Sequence, residues 1–262
     1  MKEEVLLKWE SRKENIIYMY NELGKSSKEI GEYYNVYGST ILAWMKRWEV
    51  PRRTKRCNSK YTLDIDYFKN IDTEEKAYWI GFILADGHIS KNNVLNITVQ
   101  KRDVDILEKF LISIKSNAPI RTDSNNNPTI SIRSKDIKED LYNMGFNNRK
   151  SYSLDFDKVL SNIKEELIIH FIRGMFDGDG SINVYEYDYT SKPQYHLGYT
   201  GLKEVCEFFK NYFEINRKLV KEGEYTYTCV TRDYNKIIEI RNKLYNNANI
   251  YLNRKYEKFK SI

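Results

Sequence analysis

The strongest constraint on this chain is an internal duplication. Residues 79–89 (WIGFILADGHI) return 93 positions later as residues 172–182 (IRGMFDGDGSI), and each copy is an apolar run that ends in Asp-Gly. The order continues, because residues 141–150 (LYNMGFNNRK) are echoed by residues 244–255 (LYNNANIYLNRK). Shared elements in one fixed order, at offsets that drift from 93 to 105 residues, indicate two diverged copies of one unit of roughly ninety residues.

Composition limits the class of protein without naming its activity. The 262 residues are 41% apolar, enough for a buried core, and the net charge of +6 favours a polyanionic partner without establishing nucleic-acid binding. Cys57, Cys206 and Cys229 lack CxxC spacing, so the sequence favours neither a disulfide framework nor a zinc site. Because no apolar stretch resembles a signal core or a membrane span, we expect a cytoplasmic protein without a membrane partner.

The first fifty residues predict a separate helical domain. Apolar residues at helical spacing indicate a first helix over residues 11–23, and serine caps favour two more over residues 29–34 and 40–48. This arrangement resembles the helix-turn-helix DNA-binding family, whose last helix enters the major groove. The alternative is a plain three-helix bundle used for packing or protein contact. The side chains that we expect to face outward toward DNA are Ser39, Thr40, Trp44, Lys46 and Arg47.

A compact basic run follows the third predicted helix. Residues 51–56 (PRRTKR) would be attracted to phosphates, which makes Arg52, Arg53, Lys55 and Arg56 candidate DNA contacts. A solvated tether is the alternative. We therefore predict a helix-turn-helix domain over residues 1–50 and a linker over 51–69, followed by repeat units over 70–160 and 161–262.

Each repeat reads as helix, two strands, helix, two strands, helix, which predicts an α+β fold with half-exposed antiparallel sheets. The first predicted motif helix spans 74–86, and the later elements of that copy span 94–100, 103–114, 120–122, 129–133 and 135–144. The second predicted motif helix spans 164–178, and the later elements span 182–189, 194–200, 202–214, 217–222, 225–231 and 233–246.

Small residues line one face of each motif helix. Gly81 and Ala85 lie four residues apart, as do Gly174 and Gly178, so the two helices can approach closely. Glycine within a helix costs about 0.5–1 kcal/mol relative to alanine, so its repetition at one place in both copies argues for a close contact. The packed helices would bring Asp86 and Asp179 together at their ends.

Two adjacent carboxylates at helix C-termini require a cation, because the helix end is itself partly negative. Mg²⁺ prefers one or two carboxylates and leaves its other positions to water and substrate phosphate. The pair Asp86 and Asp179 therefore points to metal-assisted phosphodiester hydrolysis. We expect Mn²⁺ to substitute for Mg²⁺, and Ca²⁺ to support binding without cleavage.

Over residues 70–262 the paired motifs resemble those of single-chain LAGLIDADG homing endonucleases. The resemblance implies two pseudo-symmetric αββαββα units, whose sheets form a saddle over the DNA major groove, and a double-strand break with short 3′ overhangs. It implies that Asp86 and Asp179 are the catalytic, metal-binding acids. It also implies a water-positioning role for Gln100, with Gly201 as its counterpart, and a charge-neutralising role for Lys150 and Lys255. Arg149 and Arg254 beside them leave the choice of basic residue open.

The resemblance also implies that the exposed strand faces read bases. The candidates in the first copy are Asn96, Thr98, Arg121, Thr129, Ser131 and Arg133, and those in the second are Tyr185, Tyr187, Gln194, Lys221, Thr226 and Thr228. We expect a free-standing monomer that acts on double-stranded DNA, since the chain ends lack the residues for protein splicing. The alternative is a non-cleaving DNA-binding regulator or an RNA-splicing maturase built on the same core.

Overall fold

The computed structural model of the protein describes residues 3–50, 61–148, 154–186, 193–260 and 262. The chain divides into two compact units, Met1–Asn58 and Ser59–Ile262. Both copies of the duplicated sequence lie in the second unit. In the described part of the chain, no helix is both long enough and apolar enough to cross a membrane.

The N-terminal unit contains helices α1 (Glu3–Glu10), α2 (Lys13–Asn21), α3 (Ser27–Tyr34) and α4 (Gly38–Arg47). Ser26 caps α3 in a reciprocal capping box with Glu29, as a serine before an amphipathic run favours. The predicted three helices correspond to α2, α3 and α4, whereas α1 was not predicted. Ile16, Ile30, Ile41 and Met45 share this unit's own core.

Helix α1 explains why one prediction for α4 is wrong. Trp44, which we expected to face outward, is 7% exposed, and its ring stacks on that of Trp9 at a centroid distance of 5.3 Å. Trp48 anchors the same region, because its indole nitrogen donates a 2.9 Å hydrogen bond to the Glu10 carboxylate. Trp44 is therefore a core residue, because α1 covers the face that would be open in a three-helix unit.

The first repeat begins at the predicted motif helix. Thr73 caps α5 (Glu74–Asp86), and the helix ends where Gly87 enters the first strand. The later elements are β1 (Gly87–Ile89), β2 (Val94–Thr98), a 3₁₀ turn (Lys101–Asp103), α6 (Val104–Ser113), β3 (Arg121–Thr122), β4 (Pro128–Arg133) and α7 (Lys135–Asn143).

The second repeat follows the same order after a connecting helix, α8 (Phe156–Ser161). A 3₁₀ turn at Glu165–Leu167 occupies the start of the predicted motif helix, so α9 begins at Ile168 and ends at Asp179. The later elements are β5 (Gly180–Tyr185), β6 (Gln194–Gly201), α10 (Lys203–Tyr212), β7 (Val220–Lys221), β8 (Tyr227–Thr231), α11 (Tyr234–Tyr245) and α12 (Asn253–Lys260). Helices α8 and α12 were not predicted.

The two repeats form matching antiparallel sheets, in the orders β1-β2-β4-β3 and β5-β6-β8-β7. One face of each sheet packs on helices: Leu95, Ile97, Ile130 and Ile132 are buried in the first sheet. The alternate residues of the same strands form the other face. We call this second face of each sheet, opposite the one that packs on helices, its open face. This arrangement confirms the predicted α+β class.

Helices α5 and α9 join the two repeats through their glycines, as predicted. A Cβ at Gly81 would overlap the carbonyl oxygen of Phe171, and a Cβ at Gly174 would overlap that of Tyr78. Because backbone meets backbone at both places, no side chain larger than hydrogen fits. The predicted close approach of the motif helices is therefore confirmed.

A buried arginine also ties the repeats together. Arg173 of α9 donates 2.9 Å hydrogen bonds to the carbonyl oxygens of Leu244 and Ile250, and it pairs with Glu74 at the start of α5. Its side chain is 1% exposed, so these partners satisfy a charge that would otherwise be costly to bury. The first repeat has Ile80 at the matching position.

Candidate active site

The close helix packing places the two motif acids at one end of the helix pair. Asp86 is the last residue of α5 and Asp179 the last residue of α9. A Cβ at Gly178, on α9, would lie 3.3 Å from Oδ2 of Asp86 and would overlap the side chain of Ala85. Gly178 therefore lets the carboxylate of one repeat lie against the helix of the other.

Two buried side chains are influenced by both acids. Burial raises the pKa of the Tyr199 phenol well above its ordinary value, and the negative charges of Asp179 and Asp86 add to the shift. Burial lowers the pKa of the Lys255 ammonium to about 8, although Asp177 opposes the shift strongly and Asp86 and Asp179 more weakly. The charges of both carboxylates thus influence the pKa values of the same two buried side chains.

A separate cavity adjoins each acid. The cavity beside Asp86 has a volume of about 220 Å³, and its lining includes Thr98, Gln100, Asp103 and Arg254. The cavity beside Asp179 has a volume of about 150 Å³, and its lining includes Tyr199, Gly201, Leu202 and Thr226. The single cluster of acids therefore serves two distinct openings.

The contacts of Lys255 and Arg254 differ, although the sequence did not show which of the two has the charge-neutralising role. Lys255 is buried, and its ammonium donates to the carbonyl oxygens of Phe176, at 2.5 Å, and Gly178, at 3.1 Å, near the end of α9. Arg254 instead holds the buried carboxylate of Asp103 through two guanidinium nitrogens, each at 2.9 Å. Lys255 thus lies beside the end of α9, whereas Arg254, held by Asp103, lines the cavity beside Asp86.

The strand register corrects the predicted counterpart of Gln100. Gly87 pairs with Ile97 in the first sheet, and Gly180 pairs with Tyr199 in the second, so Ile97 corresponds to Tyr199. Three residues further along each strand, Gln100 corresponds to Leu202. Their backbone angles agree closely, with φ and ψ of −65° and 153° against −62° and 152°. The expectation that Gly201 is the counterpart is therefore wrong.

The earlier acid of the second motif is structural. Asp177 is fully buried and accepts hydrogen bonds from Tyr245 at 2.5 Å, the Leu252 amide at 2.7 Å and Tyr78 at 2.8 Å. Burial raises the pKa of its carboxyl, against the nearby charge of Lys255 and the three hydrogen bonds. These contacts tie both motif helices to the C-terminal segment, and Leu84 occupies the matching position in α5.

The donor set around Asp86 and Asp179 suits a hard divalent cation. Among the described residues, no group of three or more His, Cys, Asp or Glu side chains is placed to hold a metal. Mg²⁺ commonly uses only one or two carboxylates and takes its other ligands from water and substrate phosphate. Asp86 and Asp179, beside cavities that water can enter, are therefore a donor set that Mg²⁺ accepts.

Comparisons with known proteins agree on the fold. I-SmaMI bound to uncleaveable DNA has a TM-score of 0.52 and 14% identity, over 73% of this chain and 88% of that chain. The LAGLIDADG meganuclease I-CpaMI bound to uncleaved DNA has a TM-score of 0.50 and 14% identity, over 73% of this chain and 90% of that chain. This chain has the LAGLIDADG homing-endonuclease fold. The two four-stranded antiparallel sheets of this chain match that fold.

Comparison of the sequence with known proteins gives less information than comparison of the structure. No family model matches the chain. The replication factor C small subunit of Methanocaldococcus jannaschii is 27% identical over 149 residues, which are 54% of this chain and 8% of that protein. The chain therefore spans only a small part of the length of this curated relative.

Within the LAGLIDADG fold, the register places most candidate base-reading residues on the open faces. Asn96 pairs with Ser131, and Thr98 pairs with Thr129, which also pairs with Arg121. Side-chain hydrogen bonds order this surface, from Ser131 to Asn96 at 2.7 Å and between Thr98 and Thr129 at 2.9 Å. The alternation along the strands places these candidates on the open faces: Asn96, Thr98, Arg121, Thr129, Ser131 and Arg133 in the first repeat and Tyr185, Gln194, Thr226 and Thr228 in the second.

One candidate lies on the other face. Lys221 pairs with Tyr227, which lies two residues from the buried Cys229 and therefore on the same, covered face of the sheet. The prediction that Lys221 lies on the open face is wrong. Its neighbour Val220 pairs with Thr228 and takes the place that Arg121 has in the first sheet. The polar open-face residues that the sequence reading missed are His88, Ser181, Asn183, His196 and Thr200.

The remaining candidates divide between α4 and the undescribed segments. Ser39, Lys46 and Arg47 are exposed and Thr40 is half-buried, so these four share the solvent-accessible part of α4. The predicted candidates that lie outside the described residues are Arg52, Arg53, Lys55, Arg56, Lys150 and Tyr187.

Proposed function

We propose that this chain is a site-specific DNA endonuclease that makes a metal-dependent double-strand break and leaves short 3′ overhangs. The observation that carries the proposal is the meeting of Asp86 and Asp179 at the ends of two packed helices, each beside its own cavity. Two acids with two openings suit a substrate with two scissile phosphates. Structures of similar fold were determined with uncleaved or cleaved DNA bound, which supports the same choice of substrate.

The chemistry follows from the residues at these cavities. Asp86 and Asp179 would hold Mg²⁺, which when bound lowers the pKa of a water molecule and stabilises charge on the departing oxygen. Lys255 keeps a positive charge beside the carboxylates while its main contacts hold the end of α9. On the described strands, the open faces offer hydroxyl, amide and guanidinium groups of the kinds that contact base edges in a major groove.

The N-terminal unit would extend the recognised site. Lys46 and Arg47 are exposed near the end of α4, and Ser39 is exposed near its start, which suits a helix that contacts DNA. The Arg47 guanidinium lies 5.3 Å from the ring of Trp44, so Trp44 supports a candidate contact instead of making one. Phosphate contacts from this unit would add affinity and salt dependence.

The decisive test is cleavage of DNA that carries the insertion site of this protein's gene in the form that lacks the gene. Purified protein should cut both strands in Mg²⁺, and EDTA should stop the reaction. Asp86→Asn and Asp179→Asn should lose at least about a hundredfold in rate yet bind the same DNA in Ca²⁺. Asp72→Asn, which alters an exposed carboxylate paired with Lys76, is the matched control and should cut normally.

The outcomes separate the proposal from its alternative. Binding in the absence of any metal-dependent cut would reject the endonuclease and favour a regulator or an RNA-binding maturase built on the same fold. Full double-strand cleavage by either acid variant would reject the assignment of Asp86 and Asp179.

A further inference from the structure

One polar atom on the open face of the second sheet has no partner within the protein. His196 lies in β6 and pairs with Asn183 of β5 on that face. Its Nε2 atom is buried and, among the described residues, has no hydrogen-bond partner. Buried polar atoms are nearly always paired, because an unpaired one is costly to the folded state. An unpaired ring nitrogen on a surface that would contact DNA therefore points to a hydrogen-bond partner on the DNA.

The strand register places Arg232 beside His196. Leu197 pairs with Thr231, and both side chains are buried, so the residue before Leu197 and the residue after Thr231 adjoin on the open face. Burial lowers the pKa of His196, and the positive charges of Arg232 and Arg217 lower it further. The imidazole is therefore neutral at physiological pH and carries one proton, which Nε2 can hold.

The side chain that lies against the imidazole can move. The ring of Tyr185 contacts the ring of His196 at a centroid distance of 4.6 Å. Tyr185 is the last residue of β5 and is 39% exposed. Because exposed side chains change rotamer rapidly, the edge of a base can displace this ring and reach the imidazole.

Two neighbouring hydrogen-bond donors select one base. The Arg232 guanidinium has donors and no acceptor, and a neutral imidazole with its proton on Nε2 adds a second donor. In the major groove, guanine presents two acceptors, N7 and O6, whereas adenine presents an acceptor and a donor. Cytosine presents a donor, and thymine presents one acceptor beside a methyl group. The donors of His196 and Arg232 therefore complement guanine.

The first sheet has the arginine without the histidine. The matched register of the two sheets makes Arg133 the counterpart of Arg232 and Val94 the counterpart of His196. Val94 pairs directly with Arg133. Because the side chain of valine has no donor, the two-donor arrangement at this position belongs to the second sheet.

We propose that His196 and Arg232 form a guanine-recognition pair, in which each donates a hydrogen bond to the major-groove edge of one guanine in the target DNA. This inference rests on the proposed endonuclease function. The guanine lies in the half of the target that the second repeat contacts, which we call the second half-site. The pair determines which DNA is bound and takes no part in the cleavage chemistry.

The test is a single-base scan of the target duplex, with binding measured in Ca²⁺ and cleavage in Mg²⁺. Wild-type protein should bind roughly tenfold to a hundredfold more weakly when adenine replaces guanine at one base pair of the second half-site. Replacing this guanine by 7-deazaguanine, which lacks the N7 acceptor, should also weaken binding. His196→Val copies the first sheet, so it should lose the preference at that base pair alone and become insensitive to 7-deazaguanine.

A gain of specificity and a matched control complete the design. Val94→His builds the same pair beside Arg133 and should add a guanine preference at the symmetry-related base pair of the other half-site. His170→Gln changes a histidine of α9 that lies beside Arg173 and should leave every base preference unchanged. If His196→Val does not fold, Val94→His decides, because its guanine preference should appear without any change in the second sheet.

The outcomes separate this pair from other partners and from the proposed function. If His196 contacts a backbone phosphate, His196→Val should weaken binding equally for all four bases, and the guanine pair would be overturned. A guanine preference that survives His196→Val, or wild-type binding without any such preference, would overturn it as well and leave the endonuclease intact. Failure of the wild-type protein to bind or cut the target would overturn the proposed function itself.

Discussion

Replacing Gly174 by alanine tests the contact on which the whole site depends. The new methyl group would overlap the Tyr78 carbonyl oxygen and would lie 2.8 Å from the Phe82 amide nitrogen. Both are backbone atoms of α5, so no rotamer change can relieve the overlap. Helix α9 must move away from α5, or α5 must deform.

Two effects of this substitution oppose each other. Alanine favours a helix over glycine by about 0.5–1 kcal/mol. Overpacking a core costs about 1–3 kcal/mol and sometimes more, and a backbone obstacle places this site at the upper end. We therefore expect a net loss of about 1–3 kcal/mol, or roughly 2–4 °C per kcal/mol in the thermal midpoint for a unit of this size.

The mirror-image contact adds a sharper expectation. Gly81 meets the Phe171 carbonyl oxygen and, at 2.8 Å, the Met175 amide nitrogen, so Gly81→Ala should cost a similar amount. One separation of the helices relieves both overlaps, so the double variant should lose less than the sum of the single losses.

Urea unfolding of the full chain, followed by circular dichroism, measures these effects. Gly223→Ala is the matched control, because its new Cβ would meet no atom closer than 3.7 Å and its stability should change by at most about 0.5 kcal/mol. The reasoning is refuted if Gly174→Ala unfolds at the same urea concentration as wild type, or at a higher one.

Three further outcomes test other parts of the molecule. Arg173→Met should destabilise the protein by about 3–5 kcal/mol in urea unfolding, because it leaves Glu74 without its buried partner and frees two carbonyl oxygens. Lys255 binds its proton less tightly when folded, with a pKa of about 8, than at the ordinary value of 10.5 when unfolded. Its contribution to stability should therefore rise between pH 8 and pH 10.5, and Lys255→Met should flatten that part of the wild-type profile. Deletion of residues 1–56 should weaken DNA binding and lower its salt dependence, measured by fluorescence anisotropy across salt concentrations, and an unchanged slope would assign that unit another role.

Local signals in the sequence predicted the regular elements well. The apolar run with Thr73 before it and Gly87 after it predicts α5 with the bounds that it has. The start of α9 was predicted too early, because residues 165–167 form a 3₁₀ turn that helical periodicity does not distinguish from an α-helix. Helix α12 was missed because its sequence, NRKYEKFK, is dominated by charged residues, while Phe259 packs into the core.

The candidate site was less fully predictable. Repetition singled out Asp86 and Asp179, but it also gave Gly201 as the counterpart of Gln100, since an offset read from sequence cannot account for inserted residues. The segment between the first two strands is longer in the second repeat, from Tyr185 to Gln194, than in the first, from Ile89 to Val94. Only hydrogen-bonded register assigns Leu202 to the matching position.

The sequence by itself determined the two-copy architecture, the α+β class and the two acids, because each depends on patterns that short-range geometry preserves. Tertiary structure decided which groups Lys255 and Arg254 contact, which face of the second sheet Lys221 belongs to, and that α1 covers Trp44. These depend on contacts between residues far apart in the chain. It also decided that the duplicated acids adjoin unlike cavities, because a cavity is formed by side chains from several elements and no single stretch of sequence describes it.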